Sequence, residues 1–289
     1  MKKIKIVIGT ANFNQRYGLK NLRIKNINEI KKILNFLKNN NIDYIDTAFS
    51  YNLSKLFLSK INFKNFKIIT KIKLPSNNVK SFLDNFDKLF MNELSSFRIK
   101  KFEAVLLHNV KDLSSKNSKE FIRKLLTLKK KGIIKNLGVS IYEKKDLDIV
   151  LKIFKPDLIQ FPASILDQRF LNKSFLKKLI NLKIKAQIRS VFLQGILLRD
   201  LSKKHLTSKK IKLNKTLKSL EIWCNKNGVS RKEASLLFIK NQKNIDFLTI
   251  GIDSIEQLKQ NLAILKRNKI IKIKKFAITN KKIIDPRTW

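Results

Sequence analysis

Residues 4–12 read Ile4-Lys5-Ile6-Val7-Ile8-Gly9-Thr10-Ala11-Asn12, a short β-branched run that stops at a glycine. The run predicts a strand over Ile4–Ile8. The residues after the glycine decide the architecture. An open, doubly wound sheet that holds a dinucleotide needs G-x-G-x-x-G at this turn, where backbone must approach a pyrophosphate. Gly9-Thr10-Ala11-Asn12 is not that fingerprint. Seven more strand-like runs come later, at Tyr44–Thr47, Lys67–Thr70, Ala104–Leu107, Asn136–Val139, Leu158–Phe161, Lys185–Ser190 and Phe247–Ile250. Between them lie amphipathic stretches such as Ile27, Ile30, Ile33, Leu34 and Leu37, spaced for one helical face. Eight strands alternating with helices predict an α/β fold, the closed parallel (β/α)8 TIM barrel with helices outside. No Pro-, Gly- or Ser-rich linker interrupts the pattern, so residues 1–289 read as a single domain. Three helix starts carry a capping-box spacing: Asn26 with Glu29, Ser230 with Glu233, and Ser254 with Gln257.

Composition excludes several classes. Hydrophobic residues make up 43% of the 289, enough for a sizeable core, while Gly (7) and Pro (4) are scarce. One cysteine, Cys224, rules out an intramolecular disulfide and a cysteine-built zinc site. No apolar run of about 18 residues exists, and Met1-Lys2-Lys3 leads only into a short strand, so neither a membrane span nor a secretory signal is expected. A cytoplasmic protein is the expectation. The net charge of +43 would ordinarily suggest nucleic acid. However, only ten of the 64 basic residues are Arg, and the 54 Lys are spread along the whole chain. Base and bidentate phosphate recognition favour Arg. A solvated lysine coat is therefore expected, with weak, salt-sensitive polyanion binding and no specific nucleic-acid partner.

In a parallel barrel, chemistry sits where strands end and loops begin at the C-terminal mouth. Strand two ends in Asp46, with Tyr51 five residues on; strand three ends at Lys71 and strand four at His108. Strand five supplies Ser140, strand six Gln160, strand seven Arg189 and Ser190, and strand eight Gly251. Asp, Tyr, Lys and His facing one cavity make a proton-donating device. A phenol has an ordinary pKa of about 10, and a neighbouring ammonium is expected to lower it. A carboxylate would hold that ammonium, and an imidazole would orient a carbonyl oxygen. Taken singly these residues say less. Asp46 reads equally well as a helix cap, Tyr51 as a rim aromatic, and Lys71 as one lysine among 54. His205, the second histidine, sits in a Lys-rich stretch and reads as an exposed side chain.

Together these elements resemble the aldo/keto reductase family. The resemblance runs from Ile8-Gly9-Thr10-Ala11 to Asp285-Pro286-Arg287. It rests on Asp46-Thr47-Ala48-Phe49-Ser50-Tyr51, Thr70-Lys71, Leu106-Leu107-His108-Asn109, Gly138-Val139-Ser140 and Ile159-Gln160-Phe161-Pro162. Gly251 with Gln257 to Asn261 completes the set. Arg189 to Gly195 is similar to a branch of bacterial members found among carbohydrate-processing genes. The resemblance implies an oxidoreductase that reduces an aldehyde or ketone with NADPH, NADH being the alternative cofactor, and uses no metal. Tyr51 would be the general acid, tuned by Lys71 and Asp46, with His108 orienting the carbonyl. Ser140 and Gln160 would hold the nicotinamide carboxamide, with Arg189 and Ser190 beside it. Gly251, Ser254, Gln257 and Asn261 match the region that holds the adenosine phosphate and adenine, where a helix N-terminus would offer an anion site.

The sequence also departs from the family pattern. Asn52 follows Tyr51 where Gly is common, a turn that Asn can make. Ile141 and Ser164 stand where Asn is frequent, Arg189 where an aromatic commonly stacks on nicotinamide, and Gln257 where an Arg often grips the 2′-phosphate. Phe13, Phe49 and Phe192 are the expected specificity residues. The expected partner is a small carbonyl compound, with no membrane and a monomer or weak homo-oligomer. The competing readings are a nucleotide-binding regulatory or sensor barrel with negligible turnover, and a polyanion-binding protein using the lysine coat.

Overall fold

Side chains alternate across a strand, and closing a sheet turns one side of every strand inward. The computed structural model describes residues 4–13, 24, 26–51, 60–201, 211–271, 273, 275–285 and 287. Its strands are β1 (Lys5–Gly9), β2 (Tyr44–Asp46), β3 (Lys67–Ile72), β4 (Phe102–Leu107), β5 (Ile134–Ser140), β6 (Leu158–Pro162), β7 (Lys185–Arg189) and β8 (Phe247–Gly251). All are parallel and ordered by sequence, and β1 pairs with both β2 and β8, which closes the barrel. Each expected run forms a strand, and no end moves by more than two residues. Asn52, His205, Pro286 and Trp289 lie outside the described residues.

The lower interior is filled by Val7, Tyr44, Ile69, Ala104, Leu106, Leu158 and Phe247. Tyr44 and Phe247 meet with ring centroids 5.2 Å apart, and the Lys5 ammonium donates to the Tyr44 hydroxyl at 3.1 Å. Towards the mouth the inward positions turn polar. Asp46, Lys71, Ser140, Gln160, Gln187 and Thr249 are all buried. Gly138 lets β5 and β6 approach there, because a Cβ on it would lie 2.1 Å from the Leu158 carbonyl oxygen.

Helices cover the outside. In α1 (Ile27–Asn39) the buried face is Ile30, Ile33, Leu34 and Leu37, as the spacing predicts. α2 (Val79–Asp84), α3 (Phe86–Phe97) and α4 (Ser118–Lys130) build an aromatic flank in which Phe86 meets Phe121 edge-on at 5.8 Å. α5 (Asp146–Leu151), α6 (Lys173–Asn181), α7 (Ile211–Lys226), α8 (Arg231–Lys240), α9 (Ile255–Lys266) and α10 (Lys281–Ile284) complete the layer. Two expected specificity residues belong to this packing rather than to the mouth. Phe13 is fully buried, and Phe49 packs on Phe90 and Phe102 at 5.6 and 6.1 Å.

The three helix starts differ in detail. Ser230 forms the complete capping box with Glu233. At Asn26 the cap side chain accepts from the Asn28 amide, but Glu29 does not return to it. The Glu29 carboxylate instead accepts from the Ile255 amide at 2.9 Å, at the first turn of α9. At Ser254 the hydroxyl accepts from the Gln257 amide at 3.1 Å, while the Gln257 side chain accepts from the Asp253 amide at 2.8 Å.

Candidate active site

The inward alternation of β2 and β3 brings Asp46 and Lys71 together. Their side chains form an ion pair with 6% and 4% exposure, and Lys71 also donates to the Thr47 carbonyl at 3.2 Å. Lys71 is the one lysine in the buried class among the described residues. The other Asp46 oxygen accepts from Gln160 at 2.7 Å and from Gln187 at 3.0 Å. Asp46 is therefore the hub of the mouth and not a helix cap. Three donors hold the carboxylate in one orientation, and it fixes the ammonium in place.

Sequence reasoning misses Gln187. Its amide bridges Asp46 to the Thr249 hydroxyl, 2.7 Å away, and so links β7 to β2 and β8 across the barrel. Its position two residues before Arg189 puts it on the same inward face, which is the available signal.

Tyr51 follows β2 in a turn closed by its amide on the Ala48 carbonyl at 3.0 Å. The expected lowering of its phenol does not occur. Burial and the Asp46 charge raise its pKa above the ordinary value, with Arg189 opposing them. The opposing cation is Arg189 and not Lys71. The phenol is thus held protonated.

His108 starts the loop after β4, its amide bonded to the Ile72 carbonyl at 2.8 Å. Burial first, then the charges of Lys71 and Arg189, push its pKa down to about 4, so the imidazole is neutral near pH 7. This value lies below the ordinary 6.5, so as pH falls the unfolded chain takes up the proton first. The stability present above pH 6.5 is lost as pH falls from there to about 4. His108→Gln is expected to flatten that part of the curve, read as a smaller drop in the urea midpoint between about pH 7 and pH 4. Equal drops in both proteins would contradict it.

Ser140 is buried beside Gln160, its register partner. Gln160 is drawn to Asp46 through its nitrogen, which leaves its Oε1 buried without a partner. Ile141 is fully buried in the core. Ser164 accepts from the amides of Leu166 and Asp167 at 3.2 and 3.0 Å, so it shapes a turn. Arg189 lays its guanidinium over the Tyr142 ring, 4.2 Å from the centroid, and reaches the Ser190 hydroxyl at 3.4 Å.

The region after β8 is less open than expected. Gly251 is exposed, but the Ser254 hydroxyl and the Gln257 side chain are engaged in the cap of α9. The expected anion site at this N-terminus is taken in part by the chain's own Glu29 carboxylate. Asn261 is fully buried, and neither of its amide atoms has a partner.

The (β/α)8 barrel thus gathers a protonated phenol, an ammonium–carboxylate pair and a neutral imidazole at its mouth. The model of the aldo/keto reductase family matches residues 5–283. The chain belongs to the aldo/keto reductase family and with it to the oxidoreductases that act on carbonyl groups. Among solved structures it is similar to the holo form of aldo-keto reductase AKR11C1 from Bacillus halodurans, with 18% identity over 100% of both chains and a TM-score of 0.74. The glycerol dehydrogenase AKR11B4 from Gluconobacter oxydans matches at 16% identity over 93% of this chain and 88% of its own, with a TM-score of 0.69. At these identities the likeness concerns the fold. No curated protein matches. No helix among the described residues is long and apolar enough to cross a membrane.

Proposed function

We propose that this chain reduces an aldehyde or ketone to an alcohol with a nicotinamide dinucleotide, using Tyr51 as the general acid. The observation that carries the reading is the buried Lys71–Asp46 pair, joined by Gln160 and Gln187 at the mouth where Tyr51 and His108 also stand. A bound nicotinamide cofactor supplies hydride transfer to the carbonyl carbon. The chain's own residues handle the oxygen. The neutral imidazole of His108 donates one hydrogen bond and orients it. The Tyr51 hydroxyl gives its proton to the oxygen as negative charge develops. An alkoxide is a stronger base than a phenolate, so the transfer runs downhill even from a phenol of raised pKa. Lys71 and Arg189 place positive charge around that oxygen in a site of low dielectric, where fixed charges act strongly.

Orphaned polar atoms fit the cofactor. The unpartnered Gln160 Oε1, with the buried Ser140 hydroxyl opposite it, would take the carboxamide, Arg189 and Ser190 would stand beside it, and the unpaired Asn261 amide would take an adenine edge. The adenosine end, with Gly251, Ser254 and Gln257, supports only a modest preference for NADPH over NADH. Gln257 is neutral and engaged in the cap, and Glu29 and Asp253 stand beside the helix start, while the lysine coat attracts the extra phosphate. Dissociation constants for both cofactors, at low and high ionic strength, check this. The expected result is NADPH tighter by less than about tenfold at low salt, with the difference shrinking as salt screens the lysines. Tighter NADH binding at low salt would contradict it. NADPH oxidation with a panel of aldehydes tests the activity itself. Dinucleotide binding without any turnover would favour the sensor reading.

A further inference from the structure

β7 carries Lys185, Gln187 and Arg189 on its inward face, and Arg189 is the last of them at the mouth. The turn after β7 is strained. Ser190, Leu193 and Gln194 have φ of 63°, 49° and 53°, in the left-handed region that non-glycine residues rarely adopt. This turn and the Tyr142 ring fix the guanidinium. Arg287 shares that ring, its guanidinium carbon 3.4 Å from the centroid.

The neighbouring cations are each paired with a carboxylate and Arg189 is not. Arg287 is bonded through Nε to Asp285 at 2.9 Å, and Arg169 is bonded to both oxygens of Asp167 at 2.8 Å. Lys71 has Asp46. Among the described residues, no carboxylate lies within ion-pair distance of Arg189, and its Nη2 is buried without a hydrogen-bond partner. A buried donor left unpaired is unfavourable, so the site keeps a group that an acceptor would satisfy. One face of the guanidinium is covered by Tyr142 and Nη1 reaches the Ser190 hydroxyl, so Nη2 is the donor left without an acceptor. The charge is felt at both Tyr51 and His108, the two groups that would meet the carbonyl oxygen.

Resting on the reductase reading, we propose that Arg189 is an anion receptor in the substrate site, and that the carbonyl compound carries a carboxylate or phosphate group. A guanidinium edge pairs with either group through parallel N–H···O bonds, which a neutral substrate cannot supply.

Matched substrates test this: succinic semialdehyde against butanal, and glyceraldehyde 3-phosphate against glyceraldehyde. For at least one pair, the wild-type chain is expected to favour the anionic member in kcat/KM by roughly ten- to hundredfold, mainly through KM. The pair with the larger ratio identifies the anion. Arg189→Gln is expected to bring that ratio to within about threefold of unity, and Arg189→Lys to restore part of it, since charge returns without the fork. Calorimetric titration with succinate and with inorganic phosphate, at about 0.15 M salt, gives a readout that needs no turnover. Saturable binding of one anion, lost in Arg189→Gln, is expected; binding to the lysine coat persists in the variant. If no aldehyde is reduced, the reductase reading fails, and the titration still decides the anion site. A ratio unchanged by Arg189→Gln, or a loss of dinucleotide affinity with that ratio intact, would overturn the proposal, as would anion binding identical in both proteins.

Discussion

Tyr51→Phe is expected to lower turnover about 10²–10⁴-fold, the range that general acid catalysis contributes. The substitution deletes one hydroxyl and keeps the ring. Dinucleotide affinity, measured by calorimetry, should therefore change little. The pH dependence adds a second mark of the acid. Burial and Asp46 raise the Tyr51 phenol, so the alkaline limb of the wild-type rate should lie above the ordinary phenol value of about 10. Any residual activity of the phenylalanine variant should lack that limb. An unchanged aldehyde reduction rate in Tyr51→Phe would remove Tyr51 from the acid role.

Lys71→Met has the largest expected effect on stability. The side chains are similar in volume, but Asp46, at 6% exposure, loses its ion-pair partner and retains only amide donors from Gln160 and Gln187. Breaking a buried pair from one side costs about 3–5 kcal/mol, a large share of the roughly 5–15 kcal/mol that holds a domain folded. Urea denaturation should show it as a lower midpoint. The double variant Lys71→Met with Asp46→Asn removes both charges and should recover most of the loss, yet remain a poor catalyst. The single variant's residual activity should also change its pH profile, because an unneutralised Asp46 raises the phenol further. A single variant as stable as wild type would mean that the pair carries little, and an unchanged pH profile would reduce Lys71 to a positioning residue.

The strand ends are legible because two local patterns coincide. A β-branched run announces a strand, and period two announces its inward face. Asp46, Lys71 and His108 each stand where such a run meets its loop, so the order Asp, Tyr, Lys, His can be read along the chain. The caps at Ser230 and Ser254 are legible for the same reason, since a hydroxyl and an amide three residues apart are neighbours in any helix. Gln187 obeys the alternation but is easily passed over beside the more conspicuous Arg189.

Other features have no local signal. Glu29 has the spacing of a capping box, yet it serves Ile255, 226 residues away. Phe49 lies within the motif that marks the site, yet it packs outward on Phe90 and Phe102. Tyr142 gains its role only when Arg189 from β7 and Arg287 near the C-terminus meet on its ring.

By itself the sequence determined the class of barrel, the order of its strands and which residue types reach its mouth, because these depend on periodicities of two and about 3.6 residues that are local. Tertiary structure alone decided that Gln160 and Gln187 share the other oxygen of Asp46, and whether the phenol is pushed up or down. Those outcomes depend on the distance between charges brought together from different strands and on the water excluded around them, and both are set only when the eighth strand pairs with the first.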